Sequence, residues 1–332
     1  MTTNLARVAV VIPYYQREPG ILRRTIRAVV GQQDAGFMDI IVVDDGSPAP
    51  AEPELAEFAS VDTVRIRLLK QTNGGPARAR NHGLDAIPPD TEYVALLDSD
   101  DIWHELHIKH AVAALDLGYD FYFADHRRDQ IADSHFKICK LSASAHTVVD
   151  EDRHLYAYTA DFFTEIIRHC PVGTSTVVMR RKPFEQIRFD EDLSSHDDLL
   201  FWTDIARKSS RIAFSNSIQV KYGIGINIYA ALRWTSPKNL ESCLDFLKLY
   251  TKMKNNYQLS LRQTALINEK IRNTNNDFVR TNLALLRRRQ LPDRNVVRSF
   301  MSNNVGVYQE LVRVILAVTA NRIVGKILPQ WH

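Results

Sequence analysis

The first hundred residues alternate compact apolar runs with helical periodicities. "RVAVVIPYY" is a β-branched apolar run that predicts a buried first strand. Apolar residues then recur at Ile21, Leu22, Ile26, Val29 and Val30, the spacing of an amphipathic helix. "DIIVVDDGSPAP" predicts a second strand running into acids and turn formers, "PELAEFAS" a short helix, and "TVRIRLLKQ" a third strand. "GGPARARNHGLDAI" reads as a glycine-led helix, "EYVALLDSD" as a fourth strand, and "HELHIKHAVAALDLG" as a helix with His104, His107 and His110 on an exposed face. Strands alternating with helices at this spacing predict an α/β fold, a mostly parallel sheet with both faces covered. "DFYFAD" and "STVVMRRKPF" suggest further short strands around an irregular stretch from His126 to Asp152. Beyond Tyr222 the pattern changes to long helical stretches. The expected division is residues 1–225, an α/β domain, and residues 226–332, a helical region.

In a parallel sheet the carboxyl ends of the strands share one edge, where ligands bind. Pro13–Tyr15, Asp44–Asp45 and Asp98–Asp101 all fall at such ends. In "VALLDSDDIW", Asp98 and Asp100 alternate across Ser99 and can point the same way. Close carboxylates repel unless a cation joins them, and hard oxygen ligands suit Mg²⁺ or Mn²⁺. The competing reading is a helix cap by Ser99 or Asp101. Asp45 can accept from a base N–H or a ribose hydroxyl, or cap the next segment. Gly74 and Gly75 permit close backbone approach, and Arg78 and Arg80 offer donors to phosphate. The segment matches neither GxGxxG nor GxxxxGK[ST], which argues against a dinucleotide site or a P-loop. In "SSHDDLLFW", Asp197 and Asp198 precede a helical run and serve either as helix-terminal acids or as a general base.

Charge changes the picture of the C-terminal region. The chain has 42 Lys and Arg against 39 Asp and Glu, of which 18 and 6 lie in residues 221–332. That leaves 24 basic against 33 acidic residues in the front part, so an acidic domain precedes a basic tail. Such a tail suits an anionic partner. It lacks the interleaved aromatics of a nucleic-acid-binding module, so no nucleic acid is expected. Three cysteines without C-x-x-C spacing fit a reducing compartment, and no secretory signal or membrane span is expected.

"VVIPYYQREPGILRRTIRAVVGQQ", "IIVVDDGSPAP", "QTNGGPARARNHGLD", "YVALLDSDDIW" and "HDDLLFW", in this order over residues 7–222, closely resemble the family 2 glycosyltransferases. With "GIGINIY" added, the whole chain is similar to bacterial exopolysaccharide glucosyltransferases of succinoglycan type. The resemblance implies a GT-A-type domain and an inverting, metal-dependent hexosyl transfer from a UDP-sugar. It implies that Asp100 and Asp98 hold Mn²⁺ or Mg²⁺ with the diphosphate, that Pro13, Tyr15 and Asp45 receive the uracil, and that Gly75 and Arg80 adjoin the sugar diphosphate. Asp198 would be the catalytic base. Asp197 departs from the family's usual Glu, and the frequent Tyr-Arg after the last strand is replaced by "VKYGIG", where Lys221 offers a charge. The implied acceptor is a saccharide on a polyprenyl-diphosphate lipid. A cytoplasmic enzyme is expected, with "LLRRRQLPDRNVVR" and Leu311–Leu328 peripheral on an anionic membrane. Rival readings are a catalytically silent nucleotide-sugar-binding protein and a metal-dependent sugar nucleotidyltransferase.

Overall fold

The computed structural model describes residues 7–129, 131–223, 236–302, 304 and 306–313. The chain divides into two compact units, Met1–Ile226 and Asn227–His332. The first holds strands β1 (Val8–Tyr14), β2 (Met38–Asp44), β3 (Val64–Lys70), β4 (Tyr93–Leu96) and β5 (Ile102–Trp103). β6 (Phe121–Arg128), β7 (Thr147–Asp150), β8 (Leu155–Ala157), β9 (Val178–Arg180) and β10 (Ile212–Tyr222) complete the set. Its helices are α1 (Ile21–Val30), α2 (Glu52–Leu55), α3 (Pro76–Asp85), α4 (His107–Asp116), α5 (His135–Cys139), α6 (Phe162–Arg168), α7 (Arg181–Phe184) and α8 (Asp197–Lys208).

The strands form one sheet in the order β3-β2-β1-β4-β9-β6-β10-β8-β7, with β5 also on β10. Pairing is parallel for β1–β2, β2–β3, β1–β4 and β6–β10. It is antiparallel for β4–β9, β6–β9, β8–β10, β7–β8 and β5–β10. The sheet is therefore mixed, which corrects the mostly parallel expectation. The strand that breaks the pattern is β9, wedged between β4 and β6. Only Val178–Arg180 of "STVVMRRKPF" forms a strand, too short for a period to show, and Arg181–Phe184 turns into a helix.

Side-chain alternation along β1 builds two cores. Val8, Val10, Ile12 and Tyr14 face one side with Leu22, Ile26 and Val29 of α1 and Ile108 and Leu115 of α4. Ala9 and Val11 face the other with Ala77 and Ala79 of α3 and Phe201 and Trp202 of α8. The histidine face is a second correction. α4 starts at His107, whose ring is fully buried 4.8 Å from the Trp103 ring. Burial lowers its pKa to about 3, so it packs as a neutral aromatic. Neither Ser99 nor Asp101 caps α4, since its N-cap position is Leu106, which makes no side-chain cap.

The second unit contains α9 (Pro237–Asn256), α10 (Leu261–Arg287) and α11 (Arg294–Ser302). A reciprocal Ser260–Gln263 capping box starts α10. Leu240, Cys243, Leu247, Phe278, Leu285 and Phe300 form the core, with the Phe278 and Phe300 rings stacked at 3.8 Å. Among the described residues no helix is long and apolar enough to cross a membrane. "GIGINIY" and Leu311–Leu328, apart from residues 311–313 and Gly223, lie outside the described residues.

α3 approaches the sheet closely because Gly83 lacks a side chain. A Cβ there would meet Val11 Cγ1 at 2.4 Å and Val43 Cγ2 at 3.3 Å. Gly83→Ala should therefore cost about 1–3 kcal/mol of overpacking, outweighing the ~1 kcal/mol helix-propensity gain of Ala. A lowered denaturant midpoint relative to the parent protein would show it.

Candidate active site

β4 delivers its apolar side chains into the core and ends at Leu96, so the next residues emerge at the sheet edge as Leu97–Asp101. This loop is built into its surroundings at several points. The Asp98 amide donates to Ser175 Oγ at 3.0 Å, and the Ser175 hydroxyl donates to Asp101 Oδ2. Gly223, just past β10, donates its amide to Asp101 Oδ1 at 2.9 Å. Thr25 Oγ1 donates to the Ser99 carbonyl at 2.9 Å. A Cβ on Gly223 would lie 1.7 Å from the Asp100 carbonyl oxygen, so only glycine fits there. Asp101 is thus a buried brace of the acidic loop.

Asp98 meets Arg80. α3 begins at Pro76 after Gly75, whose φ of 88° suits glycine. Arg80, on this helix, is only 7% exposed. Its Nη2 donates to Asp98 Oδ1 at 2.8 Å and its Nη1 to Asp197 Oδ2 at 3.0 Å. Its guanidinium also lies over the Phe189 ring, 5.2 Å from the centroid. Burial opposes the Arg80 charge, but Asp98 and Asp197 outweigh it and keep the group firmly protonated.

Asp197 and Asp198 open α8, where acids complement the helix dipole. Asp197 is 5% exposed, and burial lifts its pKa to about 6 against the pull of Arg80. Asp198 is partly exposed; its Oδ1 accepts from the Leu199 amide at 2.8 Å. Desolvation also raises the Asp198 proton affinity, with Arg80 opposing and Asp98 adding to the rise. The structure therefore brings Arg80, Asp98, Asp197 and Asp198 to one centre.

A second group lies on the neighbouring strand ends. Asp45 Oδ1 accepts from Gln71 Nε2 and the Gly74 amide, and its Oδ2 from the Gly75 amide, each at 2.8 Å. A carboxylate has about four acceptor sites, so one remains for a further donor. The Asp45 amide donates to the Tyr14 carbonyl at 2.9 Å, which sets Asp45 beside half-buried Pro13 and Tyr15. Asp44 instead holds the next turn through the Ser47 and Ala51 amides. Lys221 is paired with Asp129 at 3.0 Å.

The residues fit a hard divalent cation. Asp101 is pushed well above the carboxylate range by burial and then by the charges of Asp98 and Asp100, an excess of negative potential in one loop. Among the described residues no three or more His, Cys, Asp or Glu side chains form a ready metal cage. Two carboxylates with phosphate and water completing the shell is how Mg²⁺ is usually held. Sequence reasoning missed Ser175, Gly223, Phe189 and Tyr222. The last is a tyrosine whose phenol is pushed far up by burial and by Asp101, Asp98 and Asp198. Its position before Gly223, at the end of the last strand of the domain, is the only signal of it in the chain.

Residues 9–188 match the pattern of glycosyl transferase family 2. The chain belongs to that family. This family 2 glycosyltransferase is 35% identical over 240 residues to the succinoglycan biosynthesis protein ExoW of Rhizobium meliloti, covering 71% of this chain and 75% of that one. Its fold is similar to that of S. aureus TarS 1-349, crystallised with UDP-GlcNAc (TM-score 0.63, 17% identity, 96% and 92% of the two chains). It is also similar to the mannosyltransferase PcManGT of Pyrobaculum calidifontis, solved with GDP-Man and Mn²⁺ (TM-score 0.58, 15% identity, 97% and 88%).

Removing one member of a buried ion pair strands the other. Arg80→Ala should destabilise the protein by about 3–5 kcal/mol near pH 8. Asp197 already has a folded pKa above its unfolded value, and losing Arg80 raises it further. A raised carboxyl costs stability as pH rises through the shifted window, so the loss should shrink at pH 5. Urea titrations at both pH values, with Arg80→Ala/Asp197→Asn restoring part of the loss, check this.

Proposed function

We propose that this glycosyltransferase moves a hexose, glucose in our reading, from a UDP-sugar to a hydroxyl of a saccharide acceptor with inversion, in exopolysaccharide synthesis. The observation that carries the reading is the Arg80 bridge, which ties Asp98 to Asp197 and so sets the acidic loop beside Asp198. In the proposed complex Asp98 and Asp100 hold Mn²⁺ or Mg²⁺, which supplies charge stabilisation for the departing diphosphate. Pro13, Tyr15 and the remaining acceptor site of Asp45 receive the uracil. Gly75 lets the backbone approach the donor.

The bridge favours a positioning part for Arg80. One bond from each Nη goes to a carboxylate, which orients Asp98 and keeps the guanidinium charge beside it. Asp198 is the general base that removes the acceptor proton as the hydroxyl attacks the anomeric carbon. Its raised proton affinity suits that task. A double displacement would need a second carboxylate free to act as nucleophile. The adjacent Asp197 is buried and held by Arg80, which favours a single inverting displacement. The kinship with a succinoglycan biosynthesis protein supports a part in exopolysaccharide synthesis. Within this reading the acceptor is carried on a polyprenyl-diphosphate lipid at the inner face of the membrane.

A panel of UDP-, GDP- and dTDP-sugars with Mn²⁺ or Mg²⁺ tests the reading. A UDP-sugar should yield UDP and a β-glycoside, and a chelator should abolish turnover. Pyrophosphate as the product would make the protein a nucleotidyltransferase, and donor binding without transfer would make it a binding protein. Asp198→Asn should lower kcat by about 10²–10⁴-fold while donor affinity is kept.

The pH profile supplies a separate check. Asp198 works deprotonated, so activity falls as pH drops through its raised pKa. The acid limb of kcat/KM should lie above the ordinary aspartate value of about 3.9. A limb at or below that value would remove Asp198 from the role of base.

A further inference from the structure

The turn between α10 and α11 has an inner and an outer side. On the inner side, Leu285 and Phe300 are fully buried in the helical core, and Val296 and Val297 pack partly against it. On the outer side, Leu286 is 53% and Leu291 80% exposed. Neither leucine belongs to the core of the unit. The chain reverses through a Schellman-type end, in which the Arg289 amide donates to Leu286 O and the Gln290 amide to Leu285 O. Arg289 takes the left-handed φ of 58° that this end requires. The reversal lets Leu286 and Leu291 line one groove of about 340 Å³ together with Pro292, Arg294, Val297 and Arg298.

Arg294 and Arg298 line that groove, and Arg287, Arg288 and Arg289 belong to the same turn. Arg287, Arg288, Arg289, Arg294 and Arg298 are all exposed, and none of them pairs with a carboxylate among the described residues. Asp293 is the one acid in residues 286–298, and it is spent on capping α11 through the Asn295 and Val296 amides at 2.7 and 3.4 Å. No aromatic residue occurs in residues 286–298, so the patch has no platform on which bases could stack.

We infer that the α10–α11 turn is a docking surface for an anionic lipid bilayer. Leu286 and Leu291 enter the boundary between headgroups and acyl chains, and the five arginines pair with lipid phosphates around them. Charge complementarity selects this occupant: unpaired cations share one turn with exposed aliphatic side chains, which matches the layered chemistry of a bilayer surface. The inference rests on the membrane-side acceptor proposed above, and it adds which residues make the contact. Val296 and Val297, which the bare sequence would also offer to lipid, pack partly against the protein core, and Val297 also lines the groove.

The test uses the full chain and sedimentation with vesicles of phosphatidylglycerol and phosphatidylcholine, or phosphatidylcholine alone. The parent protein should sediment with the anionic vesicles, remain free with the neutral ones, and be released by high salt. Each arginine near an anionic surface contributes about fivefold to partitioning, so Arg288→Glu/Arg289→Glu should weaken it by at least about 25-fold. Leu286→Ser/Leu291→Ser should weaken it at low salt, where the arginines still act. All four sites are exposed, so melting temperature and UDP release with a soluble acceptor should be unchanged. If both variants sediment like the parent, the patch is wrong even though membrane contact stands. If the parent ignores anionic vesicles, both ideas fall, while UDP release reports the transfer chemistry independently. A leucine variant that only dissolves a dimer would assign the face to a second copy and overturn the inference.

Discussion

A buried guanidinium with two carboxylate partners organises the centre of the first unit. Arg80 stands on α3, Asp98 comes just after β4, and Asp197 opens α8, so one side chain fixes three elements that are far apart in sequence. Such a bridge stabilises little by itself, because three charged groups are taken from water to make it. Its contribution is specificity of placement. Asp98 is held in one orientation, and α8 is held in the register that presents Asp198. Phe189 packs against the guanidinium, and the missing side chain of Gly83 lets α3 lie close on the sheet.

The same bridge leaves the acidic loop short of positive charge. Asp98, Asp100, Asp101, Asp197 and Asp198 share a neighbourhood in which Asp98 and Asp197 divide a single guanidinium, and burial, with the neighbouring acids adding to it, raises the proton affinities of Asp101, Asp197 and Asp198. Ser175 and Gly223 stabilise Asp101 with hydrogen bonds, which hold the loop but bring no charge. In the proposed function, a dication arriving with a diphosphate would relieve the repulsion that holding the loop builds up.

Much of this arrangement is legible in the chain. β1 and β4 are continuous apolar runs and β2 is broken only by Asp39, and each leads into a polar cluster, so Asp45 and Asp98 are readable as edge residues. The mixed half of the sheet is not, because β5, β8 and β9 have only two or three residues and no period can register in them. His107 misleads for a related reason: its imidazole fills the role of an aromatic against Trp103, which a polar letter conceals. The brace made by Ser175 and Gly223 joins positions separated by long stretches of chain; Gly223 opens the quoted "GIGINIY", but nothing local marks Ser175 as its partner. Asp101 looks like a helix cap because a helical pattern is its nearest neighbour in the chain, whereas its bonded partners come from distant segments.

Two adjacent aspartates then acquire different work from helical geometry alone. Neighbours on an α-helix project about 100° apart, so at the start of α8 one acid turns inward when the next turns toward the mouth. Asp197 takes the inward direction, is buried, and spends an oxygen on Arg80. Asp198 takes the other, keeps partial access, and accepts from the Leu199 amide rather than from a guanidinium. Burial raises the proton affinity of both acids and Arg80 opposes it in both, so what separates them is contact rather than basicity. The inner acid fixes the geometry, and the outer acid keeps the access that its proposed part as base requires.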